Sequence, residues 1–192
     1  MGENKISNMD MKDMLFEKTI KSETKFEGRI VRIETDTIEL ANGNTAYREV
    51  VRKNGGVCVV PLTEDNEVIL VNQFRYPYGE VVKEVPAGKM ESNEDPLECG
   101  LRELSEETGY TAGNVVSLGV FYPSPGIMDE VLYMYLATDL KKGEVHLDED
   151  EFLTSEKLPL DKAVEMILNG EMPDGKTQTA LLKTWAYLQK NK

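Results

Sequence analysis

The stretch from Gly88 to Tyr110, GKMESNEDPLECGLRELSEETGY, constrains this chain more than any other. Asp95 followed by Pro96, with Glu98 three positions after the aspartate, is a helix start: a side-chain cap, a pre-set first φ and an acid in the first turn. Gly109 suits the C-terminal end. Leu97, Leu101 and Leu104 recur at spacings of four and three and predict a core-facing stripe. Glu103, Glu106 and Glu107 fall on a different face, within about 100° of arc, and Gly100 projects toward that face and leaves room above it. An exposed helix usually intersperses lysine to gain i,i+4 pairs, whereas Glu103 and Glu107 are an i,i+4 like-charge pair that costs stability. Arg102 can pair with Glu98 or Glu106 but cannot neutralise all three acids. A hard divalent cation can. Carboxylates without His or thiol partners suit Mg²⁺ or Mn²⁺, and Mg²⁺ commonly bridges protein acids to substrate phosphates. The segment therefore predicts a metal-loaded phosphate site.

Around it, a chain of 192 residues has the length of one ordinary domain, with or without a short extra lobe. Hydrophobic residues at 40% and charged ones at 30% belong to a globular, soluble protein. A net charge of −13 repels phosphate backbones, so no nucleic-acid partner is expected. It leaves room for a small anionic ligand, because a local cation reverses the field inside one cleft. Cys58 and Cys99 have no metal-ligand spacing and read as buried free thiols. There is no apolar run of spanning length and the start, MGENKISNMDMKD, is polar. Neither a membrane segment nor a signal peptide is expected, and the location read from this is cytoplasmic.

The segment RIVRIETDTIEL followed by the turn ANGN reads as strand or hairpin. GVCVVPL is a buried strand, followed by the turn TEDNE and by the strands VILVNQF, EVVKEVP, VVSLGVFYP and EVLYMYLAT. Two helices, Leu160–Asn169 and Thr177–Lys190, close the chain. Strands and helices mix without regular βαβ alternation, which predicts an α/β (α+β) class or a layered α/β/α sandwich. Residues 1–46 would form an N-terminal β-strand lobe and residues 47–192 the main domain.

Gly88, five residues, Glu94, seven residues and then Arg102-Glu103-Leu104-Ser105-Glu106-Glu107-Thr108-Gly109-Tyr110 resemble a complete Nudix box, with every fixed position filled. The resemblance implies a Nudix hydrolase: an α/β/α sandwich that hydrolyses a nucleoside diphosphate linked to another moiety, using Mg²⁺. Pro125, sixteen residues beyond Gly109, is similar to the ADP-ribose pyrophosphatase branch, as are EVPAGK, REVVRKNGGVCVVPL and QFRYPYGE. That branch implies hydrolysis of ADP-ribose to AMP and ribose 5-phosphate. The alternatives are another nucleoside diphosphate sugar, an oxidised nucleotide, or a sensor that binds ADP-ribose without cleaving it.

Carried onto this chain, the resemblance implies that the Ala87 carbonyl, Glu103 and Glu107 hold metal. Arg102 orients the glutamates and Glu106 is a ligand or a support. Arg29, Ile30, Arg48, Glu49, Lys53 and Arg75 line the substrate pocket, with Ser124, Pro125, Gly126 and Glu130 closing it. Lys53 stands where some relatives have arginine, which exchanges a fork for a point charge. The branch further implies a homodimer that exchanges its N-terminal strands, with FEGRIV supplying Arg29 and Ile30 across the interface; a monomer with its own N-terminal sheet is the alternative. The base is expected in HLDEDEF: Glu149, with Glu151 as an extra ligand, or Asp148 and Asp150 in the other register. His146 is expected to serve structure. Tyr76, Tyr78 and Tyr122 are near the expected pocket without an assigned role.

Overall fold

The computed structural model describes residues 10–147 and 152–191, so Asp148, Glu149, Asp150 and Glu151 lie outside the described residues. The chain divides into two compact units. One runs to Lys53 and takes in Ser124–Asp129; the other comprises Asn54–Pro123 and Glu130–Lys192.

The first unit holds a short helix α1 (Met11–Leu15) and strands β1 (Lys18–Glu27), β2 (Val31–Glu39) and β3 (Thr45–Lys53). They form one antiparallel sheet in the order β1-β2-β3. The expected turn is present: Gly43 has φ +82° and donates to the Leu40 carbonyl, while Asn44 donates to Asn42 Oδ1. No separate strand is expected over KTIKSETKFE, although Lys21, Glu23, Lys25 and Glu27 alternate with Ile20, Ser22, Thr24 and Phe26 at the period of two that marks a strand. All ten of its residues are exposed, and its order comes from pairing with β2 across two register shifts. Ser124–Asp129 joins this unit through β3. Val51 donates to the Ile127 carbonyl, and Asp129 accepts from the Lys53 N–H and the Arg52 guanidinium.

The second unit is a layered sandwich built on β4 (Gly56–Pro61), which is buried at all six positions. It pairs in parallel with β9 (Leu132–Lys142) and antiparallel with β7 (Ala87–Lys89), and β8 (Tyr110–Phe121) completes that sheet on the far side of β9. A second sheet runs β10 (Leu153–Pro159), β5 (Glu67–Arg75), β6 (Glu80–Glu84). A strand buried on both faces reads as a continuous apolar run, which is why GVCVVPL was legible. Alternation assigns the two faces. Val57 and Val59 pack with Cys99 and Leu104 of α2 (Pro96–Thr108). Cys58 and Val60 pack with Leu160, Ala163 and Ile167 of α3 (Leu160–Leu168) and with Ala180 and Leu181 of α4 (Gly175–Lys190). The mixed α+β class and the α/β/α layering of this unit are thus as expected.

Both cysteines are buried free thiols. Burial pushes each thiol up to about 12, with the Glu94 carboxylate adding to the effect at Cys99.

Candidate active site

The helix α2 is set locally, as its sequence predicts. Asp95 Oδ1 accepts from the Leu97 and Glu98 N–H groups at 2.8 and 3.3 Å, Pro96 opens the helix, and Gly109 closes it in the left-handed region at φ +72°. The face it buries is not the predicted one. Leu104 is fully buried, but Leu97 is 37% exposed, so the three leucines do not form a common core stripe. The buried side carries Cys99, Gly100, Glu103, Leu104 and Glu107. Gly100 does not leave room over the site either. A Cβ there would meet Val57 Cγ1 at 2.8 Å and Val59 Cγ2 at 3.1 Å, so the missing side chain lets the helix lie close on β4.

This packing turns two of the three glutamates inward. Glu103 is 9% and Glu107 2% exposed. The Glu107 Oε2 accepts from the Ala87 N–H at 3.1 Å, which ties the box helix to β7. Glu103 lies on the backbone of Gly88. A Cβ added at Gly88 would fall 1.8 Å from its Cδ and Oε1. The box glycine thus leaves the space that the box glutamate fills. Ala87, Gly88, Glu103 and Glu107 meet at one place.

Of its two expected partners Arg102 takes Glu106, and in place of Glu98 it takes the box residue Glu94, with Oε1 on Nε at 2.9 Å and Oε2 on Nη2 at 3.2 Å. Nη1 donates to Glu103 Oε1 at 2.8 Å and to Glu106 Oε2 at 2.9 Å. The planar fork therefore holds three carboxylates in one arrangement. Its hydrogen bonds, with a smaller share from the Glu91 N–H, lower the Glu94 carboxyl to about 2. Glu94 in turn is the main cause of the raised Arg102 pKa. Sequence reasoning gave Glu94 no task, although its fixed spacing from Arg102 was the available signal.

Among the described residues, no three His, Cys, Asp or Glu side chains converge into a metal cage. The oxygens at hand are the Glu103 and Glu107 carboxylates and the Ala87 carbonyl. All are hard donors, two of them on a buried helix face. That set fits a hard divalent cation that completes its shell with water and substrate oxygens, the habit of Mg²⁺. The neighbouring segment is tied to the same helix, since the His146 N–H donates to the Glu106 carbonyl and Gly143 to that of Gly109.

The remaining candidates divide between the units. In the second, Glu130 is buried and Arg75 is half-buried, its Nε and Nη2 each 2.6 Å from the Glu84 carboxylate. In the first, Arg29 and Ile30 occupy the exposed β1–β2 turn, and Arg48 and Lys53 are partly exposed on β3 beside exposed Glu49. The Arg48 guanidinium pairs with Glu17 at 2.5 and 3.0 Å. Ser124 accepts from the Ile127 and Met128 N–H groups, in a turn that exposes Pro125 and Gly126. Glu84 was missed altogether; an acid within the apolar strand EVVKEVP was its signal.

The Nudix domain profile matches residues 52–179, and that of a nucleoside diphosphate sugar hydrolase N-terminal domain matches residues 17–51. The chain is 44% identical to the methanol dehydrogenase activator of Bacillus methanolicus, over 86% of this chain and 90% of that protein. It is 40% identical to the ADP-ribose pyrophosphatase of Bacillus subtilis (strain 168), over 87% and 91%. A crystal structure of an ADP compounds hydrolase shares the fold, with a TM-score of 0.82, 22% identity and coverage of 91% and 95%. The chain belongs to the Nudix family and is a Nudix pyrophosphohydrolase resembling ADP-ribose pyrophosphatases.

Proposed function

We propose that this chain hydrolyses the pyrophosphate bond of ADP-ribose to AMP and ribose 5-phosphate, with Mg²⁺ as cofactor. Nudix hydrolases use divalent cations on nucleoside diphosphate derivatives. The 40% identity to an ADP-ribose pyrophosphatase carries the finer reading. The buried Glu103 and Glu107 beside Ala87 support the cofactor.

In this reading Glu103, Glu107 and the Ala87 carbonyl hold the cation. When bound, it neutralises the doubly anionic diphosphate and acidifies water. Arg102 keeps Glu103 and Glu106 aligned, and Glu106 supports the set from the outer side. Arg75 grips a diphosphate oxygen. Arg29, Ile30, Arg48, Glu49, Lys53, Ser124, Pro125, Gly126 and Glu130 shape the pocket for the rest of the substrate. For Arg48 that requires its guanidinium to release Glu17 or to share it. Glu149 takes the proton from the attacking water, with Glu151 as a further metal ligand.

The test is hydrolysis in ¹⁸O-water of a panel comprising ADP-ribose, other nucleoside diphosphate sugars and oxidised nucleotides, with products identified by mass spectrometry. ADP-ribose should give the highest kcat/KM, and AMP and ribose 5-phosphate as sole products. Higher kcat/KM on another diphosphate sugar would reassign the substrate, and ADP-ribose binding without products would make the chain a sensor. A second reading rests on the 44% identity to the methanol dehydrogenase activator. The same preparation added to methanol dehydrogenase supports it by raising that enzyme's turnover.

The chain is also proposed to work as a homodimer that exchanges its N-terminal strands. All of β1 is exposed, and Leu15, Phe16, Ile20 and Phe26 are each more than half exposed. Such a strand leaves a sheet edge and apolar side chains for a partner. Sedimentation equilibrium should return twice the chain mass. A monomer at micromolar concentration overturns the exchange.

A further inference from the structure

β6 ends at Glu84, whose side chain is 2% exposed. A carboxylate removed this far from water costs several kcal/mol unless it is paired. It is paired twice. Arg75 meets it fork to fork, Nε on Oε1 and Nη2 on Oε2, both at 2.6 Å. Lys176, in the first turn of α4, donates to the same Oε2. Lys176 Nζ also reaches Asp174 Oδ2 at 3.0 Å, and that oxygen caps α4 by accepting from the Thr177 N–H at 2.9 Å. Thr177 Oγ1 accepts from the Val85 N–H at 2.9 Å, so the network closes on the residue after Glu84.

For folding alone, well-packed apolar residues often serve as well as a buried ion pair or better. What apolar residues do not provide is a guanidinium fixed in direction. Glu84 occupies the Nε–Nη2 edge of Arg75 and turns the Nη1 edge away from itself, on a side chain that is 38% exposed. Three residues on from Glu84, Ala87 donates to Glu107 Oε2. Arg75 feels that same Glu107: its pKa is raised first by Glu84 and, in smaller part, by Asp174 and Glu107. One short segment thus connects a clamped cation to the carboxylates of the box helix.

We propose that Glu84 is a positioning residue. It holds Arg75 by one edge so that the other edge meets the substrate diphosphate, and Lys176 from α4 keeps Glu84 in place. This rests on the reading of Arg75 as a diphosphate ligand, so the test varies both residues. Steady-state kinetics with ADP-ribose at saturating Mg²⁺ would be measured for Glu84→Gln, Arg75→Ala and the double variant, alongside melting temperatures.

A hydrogen bond to a charged group, lost equally from ground and transition states, raises KM by roughly 10–100-fold with kcat little changed. That is the expected result for Arg75→Ala and, to a lesser degree, for Glu84→Gln. In the Arg75→Ala background, Glu84→Gln should add less than about twofold, because residues acting through one another are not additive. Multiplying penalties, or a lower melting temperature with wild-type KM in Glu84→Gln, overturn the proposal and leave Arg75 as a ligand. An unchanged KM in Arg75→Ala removes Arg75 from the substrate and the proposal with it. Should Glu84→Gln fail to fold with Lys176 left to Asp174 alone, Glu84→Gln/Lys176→Met removes both charges. A raised KM in that variant supports the positioning role, and a wild-type KM overturns it.

Discussion

Gly88→Ala is expected to lower turnover by about 100-fold while leaving the melting temperature within a few degrees of wild type. A Cβ at this position would lie 1.8 Å from Glu103 Cδ and Oε1 and 2.3 Å from Oε2, so one of the two groups must move. The strand cannot move easily, because β7 is paired with β4 in the register Val57 to Gly88 and Cys58 to Ala87. The carboxylate can. It is the far end of a flexible side chain, and leaving a preferred rotamer costs only about 0.5–1.5 kcal/mol. Gly88 is not among the glycines with positive φ, so alanine adds no backbone strain to this small cost. The damage falls on function. Displacing a positioned catalytic group by about 1 Å costs roughly 10²-fold in rate. Measured kcat on ADP-ribose, set beside a melting curve, separates the two effects. Wild-type turnover in this variant would mean that the seat of Glu103 over Gly88 has no catalytic importance.

Glu107→Gln should remove most of the stabilisation by Mg²⁺ together with the activity. Glutamine has nearly the same shape and retains a carbonyl oxygen to accept the Ala87 N–H, so the tie between helix and strand survives. It lacks the charge. The Mg²⁺-dependent rise in each protein is read against its own metal-free melting temperature, so a change in the metal-free fold does not enter it. In the wild type, Mg²⁺ bound as proposed would add about 2.7 kcal/mol of stability at 100 times its Kd. Each kcal/mol moves the melting temperature by roughly 2–4 °C in a protein of this size. Glu107→Gln should lose most of that Mg²⁺-dependent rise and fall in kcat by more than the 10–100-fold typical of groups one step removed from a metal. A variant that keeps both the rise and the turnover is incompatible with Glu107 as a ligand.

Local features were readable wherever the information lies within a few residues. The Asp95 cap, Pro96 and left-handed Gly109 delimit α2 because capping involves only neighbouring backbone groups. GVCVVPL announced a strand covered on both faces because burial there leaves no polar position. The spacing of the box acids along α2 puts Glu103 and Glu107 on one face of the helix. In contrast, β1 is exposed along its whole length, and its strand state depends on pairing with β2.

The amino-acid sequence by itself determined the helix, its ends, the hard-oxygen chemistry of its acids and the family. Tertiary structure decided which face of that helix is buried. A leucine stripe would ordinarily have turned inward, but Gly100 lets the helix lie on Val57 and Val59, and this draws Glu103 and Glu107 in while Leu97 stays out. It also decided that Arg102 takes Glu94, that Arg75 and Lys176 share Glu84, and that Ser124–Asp129 belongs with β3. The physical reason is range. Caps and periodicity act within a turn or two of chain, whereas a buried charge finds its partner wherever the packed elements bring one.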